Sequence, residues 1–299
     1  MNQTQQQWIV GVDLRKRSDG AVRFATWLQA HMRERPPELR GVHVLETSQL
    51  KALRKFGSRA EIIGRLEAEA RLVAKNAGAA DALASLDVVE NRRADDGLAS
   101  ACQQHGADVL IVGRKCGTEE SGFVRLGSVA RRLLRSLPAP TIVVPPDLET
   151  AAFGPGPVIL AAVPGDSSVG ALNFARSLAA RLGRELVVTH VVRVPLDYAQ
   201  LYWSDAELAK VREEHTSNAF RRLKEWLVEH GAEDARIELR AGLEHDALAE
   251  ACSKHKAALL VTGTRRLKGF ERMVLLSVSS DIAAHAQLPV AVVPPDYTA

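Results

Sequence analysis

The stretch Asp96-Gly-Leu-Ala-Ser-Ala-Cys-Gln-Gln-His-Gly-Ala-Asp-Val-Leu-Ile-Val-Gly113 decides how this chain is built. It returns 150 residues later as Asp246-Ala-Leu-Ala-Glu-Ala-Cys-Ser-Lys-His-Lys-Ala-Ala-Leu-Leu-Val-Thr-Gly263. Cys102 and His105 recur as Cys252 and His255 without a gap. Each half then closes on one pentapeptide, Val143-Val-Pro-Pro-Asp147 and Val292-Val-Pro-Pro-Asp296. Self-similarity at one long period marks a tandem duplication. Pro and Gly cluster in Ala151-Ala-Phe-Gly-Pro-Gly156, which reads as the linker. The chain thus divides into a first domain, residues 1–150, and a second, residues 155–299.

Within each half, short Val- and Ile-rich runs alternate with longer helical patterns. The expected strands are Trp8–Val12, Gly41–Leu45, Leu86–Val89, Val109–Val112 and Thr141–Val144, then Val158–Val163, Leu186–Val191, Arg236–Leu239, Leu259–Thr262 and Val290–Val293. These runs show little alternation, as parallel strands covered on both faces do. Ser58 with Glu61 and Ser204 with Glu207 have capping-box spacing. Apolar stripes follow them at Ile62, Leu66, Ala70 and Val73, and at Leu208, Val211, Ala219, Leu223 and Leu227. Strand–helix alternation of this kind predicts a doubly wound α/β sheet in each half.

Composition excludes several classes. The 299 residues are 46% hydrophobic and 25% charged, the profile of a soluble globular protein. Thirty-nine basic against 36 acidic residues leave a net charge of +3, too small to imply nucleic acid as a partner. No apolar run approaches the roughly 20 residues of a membrane span, so no membrane partner is expected. The N-terminal Met1–Gln7 stretch has no basic residue and Asp13 breaks the apolar run after it, unlike a secretory signal. Three cysteines, Cys102, Cys116 and Cys252, form no C-x-x-C. The expected compartment is the cytoplasm.

The stretch after the fourth strand carries the chemistry. It reads Gly113-Arg-Lys-Cys-Gly117, nine residues, then Gly127-Ser128-Val129-Ala130 at the start of a helix. Glycines let a backbone approach a phosphate closely, and a helix N-terminus offers unpaired N–H groups at the positive end of a dipole. Ser128 either adds a hydroxyl to that cradle or serves as an ordinary N-cap.

Asp13 after strand one, His43-Val44 ending strand two, Gly113-x3-Gly117-x9-Gly127-Ser128 and the closing Pro140-Thr-Ile-Val-Val-Pro145 together resemble the universal stress protein family. The family pattern is G-2x-G-9x-G-[S/T]; here the first gap holds three residues. The resemblance implies two tandem doubly wound parallel five-stranded sheets of the adenine nucleotide alpha hydrolase-like kind, packed as an intrachain pseudo-dimer through the apolar fifth strands. It implies ATP, with ADP or AMP as smaller alternatives and Mg²⁺ as companion, bound by Asp13, Val44, Gly113, Gly117, Gly127, Ser128 and Val129. The adenine would lie near Asp13 and Val44 and the phosphates at the glycine loop. A stress-response role follows, with an unidentified regulatory protein partner and further self-association into a homodimer as expectations.

The second half departs from the pattern. Its loop is Gly263-Thr-Arg-Arg-Leu-Lys-Gly269, with Arg266 and Leu276 in place of the second and third glycines, although Ser277 survives. Pro164 is read as the counterpart of Asp13. Arg265 and Arg266 are candidate compensating phosphate ligands, and a degenerate site on a retained scaffold is the plainer reading.

Other candidates have ordinary readings beside functional ones. His43 and His190 at matching strand ends suggest a metal pair or two hydrogen-bonded histidines. Cys102 and Cys252 read as small core residues, and Cys116 as an exposed thiol. Tyr198, Tyr202 and Trp203 suggest a lid or a packed cluster. Arg125, Arg131, Arg132 and Arg135 read as a solvated helix face with Arg125 near the loop, and His215 as a partly buried histidine. No Walker loop, nucleophile elbow or H-E-x-x-H is present, and no catalytic residue is assigned. A weak ATPase or phosphotransferase and a nucleotide-independent protein-interaction scaffold are the alternative functions.

Overall fold

The ten apolar runs form ten strands. In the first half β1 (Gln7–Gly11), α1 (Asp19–His31), β2 (Glu38–Glu46), α2 (Thr47–Leu53), α3 (Arg59–Asn76), β3 (Leu83–Asn91), α4 (Ala94–His105), β4 (Val109–Gly113), α5 (Ser128–Ser136) and β5 (Thr141–Val144) follow one another. The second half repeats the plan with β6 (Val158–Ala161), α6 (Val169–Leu182), β7 (Leu186–Val192), α7 (Asp205–Glu229), β8 (Arg236–Ala241), α8 (Glu244–His255), β9 (Leu259–Gly263), α9 (Val278–His285) and β10 (Val290–Val293). The computed structural model describes residues 5–14, 18–79, 81–114, 126–192, 202, 204–264 and 278–298.

One ten-stranded sheet results, in the order β3-β2-β1-β4-β5-β10-β9-β6-β7-β8. Pairing within each half is parallel throughout. The halves meet at β5 and β10, which run antiparallel with Val290 opposite Val143, Ala291 opposite Ile142 and Val292 opposite Thr141. Two five-stranded doubly wound sheets are thereby joined edge to edge, each covering the other's apolar edge strand. Both faces of the joined sheet are covered. One core holds Trp8, Phe24 and Leu28 with Phe174, Leu178 and Trp226, and the opposite core holds Leu110, Leu133 and Val143 with Val187, Leu248 and Leu260. Each core runs through both halves.

The shared pentapeptide has a steric reason. Its prolines turn the chain against the start of α1, where the Gly20 N–H donates to the Pro146 carbonyl at 3.1 Å. A Cβ on Gly20 would lie 2.1 Å from the Pro145 oxygen, and one on Gly170 would lie 2.2 Å from the Pro294 oxygen. Only glycine admits that approach. The Pro- and Gly-rich linker is also packed rather than loose. Phe153 is buried, set edge-on to Phe24 with centroids 5.2 Å apart and against Trp27 at 5.5 Å.

Several expectations shift. Strands β2 and β3 extend beyond their apolar centres, and β6 ends at Ala161 rather than Val163. Helix α2 gave no sequence signal: it has seven residues and no side-chain cap. His215 is exposed on the outer face of α7, because that helix contacts the core through Leu223 and Leu227 further on. Among the described residues, no helix is long and apolar enough to cross a membrane.

Candidate functional site

Strand order reverses between β1 and β4, and in open α/β sheets the crevice beyond the carboxyl ends of the strands at such a point is where ligands bind. A cavity of about 820 Å³ lies there, bounded by the ends of β1, β2 and β4, the first turn of α5, and α2 and α3. That volume is within the range of small-molecule sites. Its floor is apolar, with Val12, Val44, Leu98 and Val112 among the lining residues, and its rim carries Asp13, His43, Glu46, Gln49, Ser128 and Arg131.

Six of the seven expected site residues line this one cavity: Asp13, Val44, Gly113, Gly127, Ser128 and Val129. Gly117 lies outside the described residues, as do Cys116, Arg125, Tyr198, Trp203, Arg265, Arg266, Leu276 and Ser277. Asp13 is half-buried in the turn after β1, its carbonyl accepting from the Ser18 hydroxyl at 2.8 Å. Val44 is buried, wedged against α4 at Gly97, where an added Cβ would come within 2.6 Å of Val44 Cγ1.

Helix N-termini differ in how they are closed. Helices α3 and α7 begin with complete capping boxes, Ser58 with Glu61 and Ser204 with Glu207. At α4 the protein's own carboxylate intervenes, since Glu46 accepts from the Ala94 N–H at 3.1 Å. The N-cap of helix α5 is Gly127, which has no side chain, so no side-chain cap closes this helix. Its first N–H groups open on the cavity, where an anion could take them up.

The basic residues beside this helix separate into different roles. Arg131 reaches the cavity and also donates to the Leu126 carbonyl at 3.4 Å. Arg132 turns away to pair with Asp95 at 3.1 Å, joined there by Arg93. Burial pushes the Asp95 carboxyl up, but the two guanidiniums outweigh it and hold it below the ordinary range. Arg135 is exposed. Arg114, the residue after β4, was not singled out by the sequence. It is buried and lines the cavity.

His43 and His190 play one structural role twice. His43 Nδ1–H donates to the Val12 carbonyl and His190 Nδ1–H to that of Ala162, both at 2.8 Å. Each ring ties strand two of its half to the end of strand one. Among the described residues, no group of three or more His, Cys, Asp or Glu side chains is placed to hold a metal ion.

These hydrogen bonds also fix which residues correspond. The Ser18 hydroxyl bonds the Asp13 carbonyl, and the Ser168 hydroxyl bonds the Val163 carbonyl at 2.7 Å. The counterpart of Asp13 is therefore Val163, not Pro164 as the sequence suggested; the turn after β6 keeps its register and places Pro164 one residue later. Val163 is largely exposed and carries no carboxylate. Of the aromatic cluster, Tyr202 is exposed, so packing under a loop does not describe it.

The family model described as "Universal stress protein family" matches this chain twice, over residues 6–145 and 157–294. A universal stress protein of Mycolicibacterium smegmatis is 31% identical over 193 residues, 63% of this chain and 62% of that protein. One from Mycobacterium tuberculosis H37Rv is 29% identical over 169 residues, 56% of this chain and 53% of the relative. The matches thus span between half and two-thirds of those relatives. The crystal structure of a universal stress protein from Archaeoglobus fulgidus superposes with a TM-score of 0.69 at 16% identity, covering 98% of this chain and all of that one. A functionally unknown protein from Pseudomonas aeruginosa PAO1 gives 0.60 at 15% identity, covering 98% and 94%. At these identities the likeness shows the fold. The double match over nearly the whole length shows more: the chain is a tandem member of the universal stress protein family.

Proposed function

We propose that the first half binds an adenine nucleotide, ATP foremost, and that the chain is a cytoplasmic stress-response module whose regulatory state follows that binding. The observation that carries the reading is the open N-terminus of α5 at one end of an apolar-floored cavity at the sheet's reversal point. An adenine ring would lie against Val44, and the phosphates would take the N–H groups that follow Gly127 together with the Ser128 hydroxyl. Asp13 would accept from the ribose or the base, or hold a nucleotide-bound Mg²⁺. Each charge-assisted hydrogen bond of this kind contributes about 1.5–3 kcal/mol.

In the second half Val163 stands where Asp13 does, and by sequence Leu276 stands where Gly127 does. A carboxylate and a Cβ-free approach are both missing there. Binding is therefore assigned to the first half alone. Calorimetric titration with ATP should give about one site per chain, lost in Gly127→Leu and unchanged in Ser277→Ala. Two equivalent sites, or binding that survives Gly127→Leu, would place the site elsewhere.

A further inference from the structure

Arg114 belongs to the cavity of the first half and to the body of the second. Its backbone N–H donates to the Val144 carbonyl at 2.8 Å, which anchors it where β4 and β5 end. From there the side chain crosses the β5–β10 seam. Its Nη1 donates to the carbonyls of Ala284 at 2.6 Å and Ala286 at 2.9 Å, at the carboxyl end of α9. A helix carboxyl end carries partial negative charge and unpaired carbonyls, so a guanidinium is a favourable cap there. The same residue is 4% exposed and lines the cavity beside Gly113 and Ser128. The matching residue of the second half is Thr264, whose N–H makes the equivalent bond to Val293 at 3.2 Å but which has no guanidinium. Among the described residues, the bridge joins the first-half cavity to α9 and has no counterpart at Thr264.

We propose that Arg114 positions and senses the phosphates of a ligand in the first-half cavity, and transmits occupancy across the seam to α9. The inference rests on the nucleotide reading above. A buried cation is costly unless anionic or dipolar partners surround it. The α9 carbonyls are dipolar partners of this kind. A phosphate at the start of α5 would be an anionic one, and would hold the guanidinium in the position that caps α9. Ligand affinity and the order of α9 then depend on each other, as linkage requires. Adenosine, which lacks the anion, should bind without either effect.

The test uses the full chain, with Arg114→Met and Arg114→Lys beside the unmodified protein. Calorimetry measures ATP and adenosine separately, and hydrogen exchange follows the amides of residues 278–286 with each ligand. The unmodified chain should favour ATP over adenosine by at least tenfold and slow its α9 exchange only with ATP. Arg114→Met should lose about tenfold in ATP affinity, keep its adenosine affinity, and lose the ATP effect on α9. Arg114→Lys should recover part of both. A mere packing role predicts equal losses for the two ligands, and that result would overturn the inference. ATP binding with unchanged α9 exchange in the unmodified chain would also overturn it, while leaving the nucleotide reading intact. Failure of ATP to bind the unmodified chain would instead remove the nucleotide reading, and the inference with it.

Discussion

At the scale of single residues, burial decides what the cysteines can do. Cys102 and Cys252 sit on the core faces of α4 and α8, and burial pushes both thiols up from an ordinary 9.0 to about 12. Above pH 9 the unfolded chain releases these protons while the folded chain keeps them, so the folded state binds more protons and stability falls as pH rises toward 12. Burial pushes Tyr297 up as well and adds to the same trend. In a Cys116→Ser background, Ellman's reagent should leave the native protein unlabelled at pH 8 and modify two thiols in urea. The denaturant midpoint should fall between pH 9 and 11, less steeply in Cys102→Ala/Cys252→Ala. The core role of these cysteines was legible in their Ala-Cys helical setting. The role of Arg114 was not, because its partners Ala284 and Ala286 are 170 and 172 residues away. The counterpart of Asp13 was legible in the period itself: the 150-residue offset of the repeat leads to Val163, and the paired Ser18 and Ser168 hydroxyl bonds keep that register through the turn.

At the scale of elements, the sequence carried start signals and lost the short pieces. The capping boxes of α3 and α7 were readable because Ser58 and Glu61, like Ser204 and Glu207, must be three apart to exchange their bonds. Replacing Ser58 by alanine should cost about 1 kcal/mol. Helix α3 also walls the cavity through Leu66, so the cost should appear as a lower thermal midpoint that bound ATP partly restores. An unchanged midpoint would mean that α3 is held by packing alone. Helix α2 carries no periodic signal because its seven residues give too few turns for an apolar stripe. It nevertheless supplies Gln49, Ala52 and Leu53 to the cavity wall. The glycine spacing pointed to the end of β4 and the start of α5, which do border the cavity, but not to the α2 residues that wall it.

At the scale of the whole molecule, the repeat was the most informative feature, and it showed that there would be two alike halves. The way they join follows from burial. Residues Thr141–Val144 and Val290–Val293 are buried throughout, and either strand left open would present unpaired backbone to another chain. Expressing residues 1–150 alone should therefore yield a dimer or aggregate by light scattering. A well-behaved monomer at high concentration would show that the β5 edge is protected some other way.

The tether between β5 and β6 has a consequence for what each half is obliged to keep. Two separate chains would have to find one another, and the seam would form only at sufficient concentration. Here both strands belong to one chain, so the effective local concentration of β10 at β5 does not depend on how much protein is present. The second half then contributes to the sheet whether or not it holds a ligand of its own. Its duty as a structural partner, written into Val290–Val292 and Gly170, is separated from any duty as a receptor. Val163 can stand where the first half has Asp13 without loosening the sheet, so the two halves need not keep the same residues at their strand ends to stay joined.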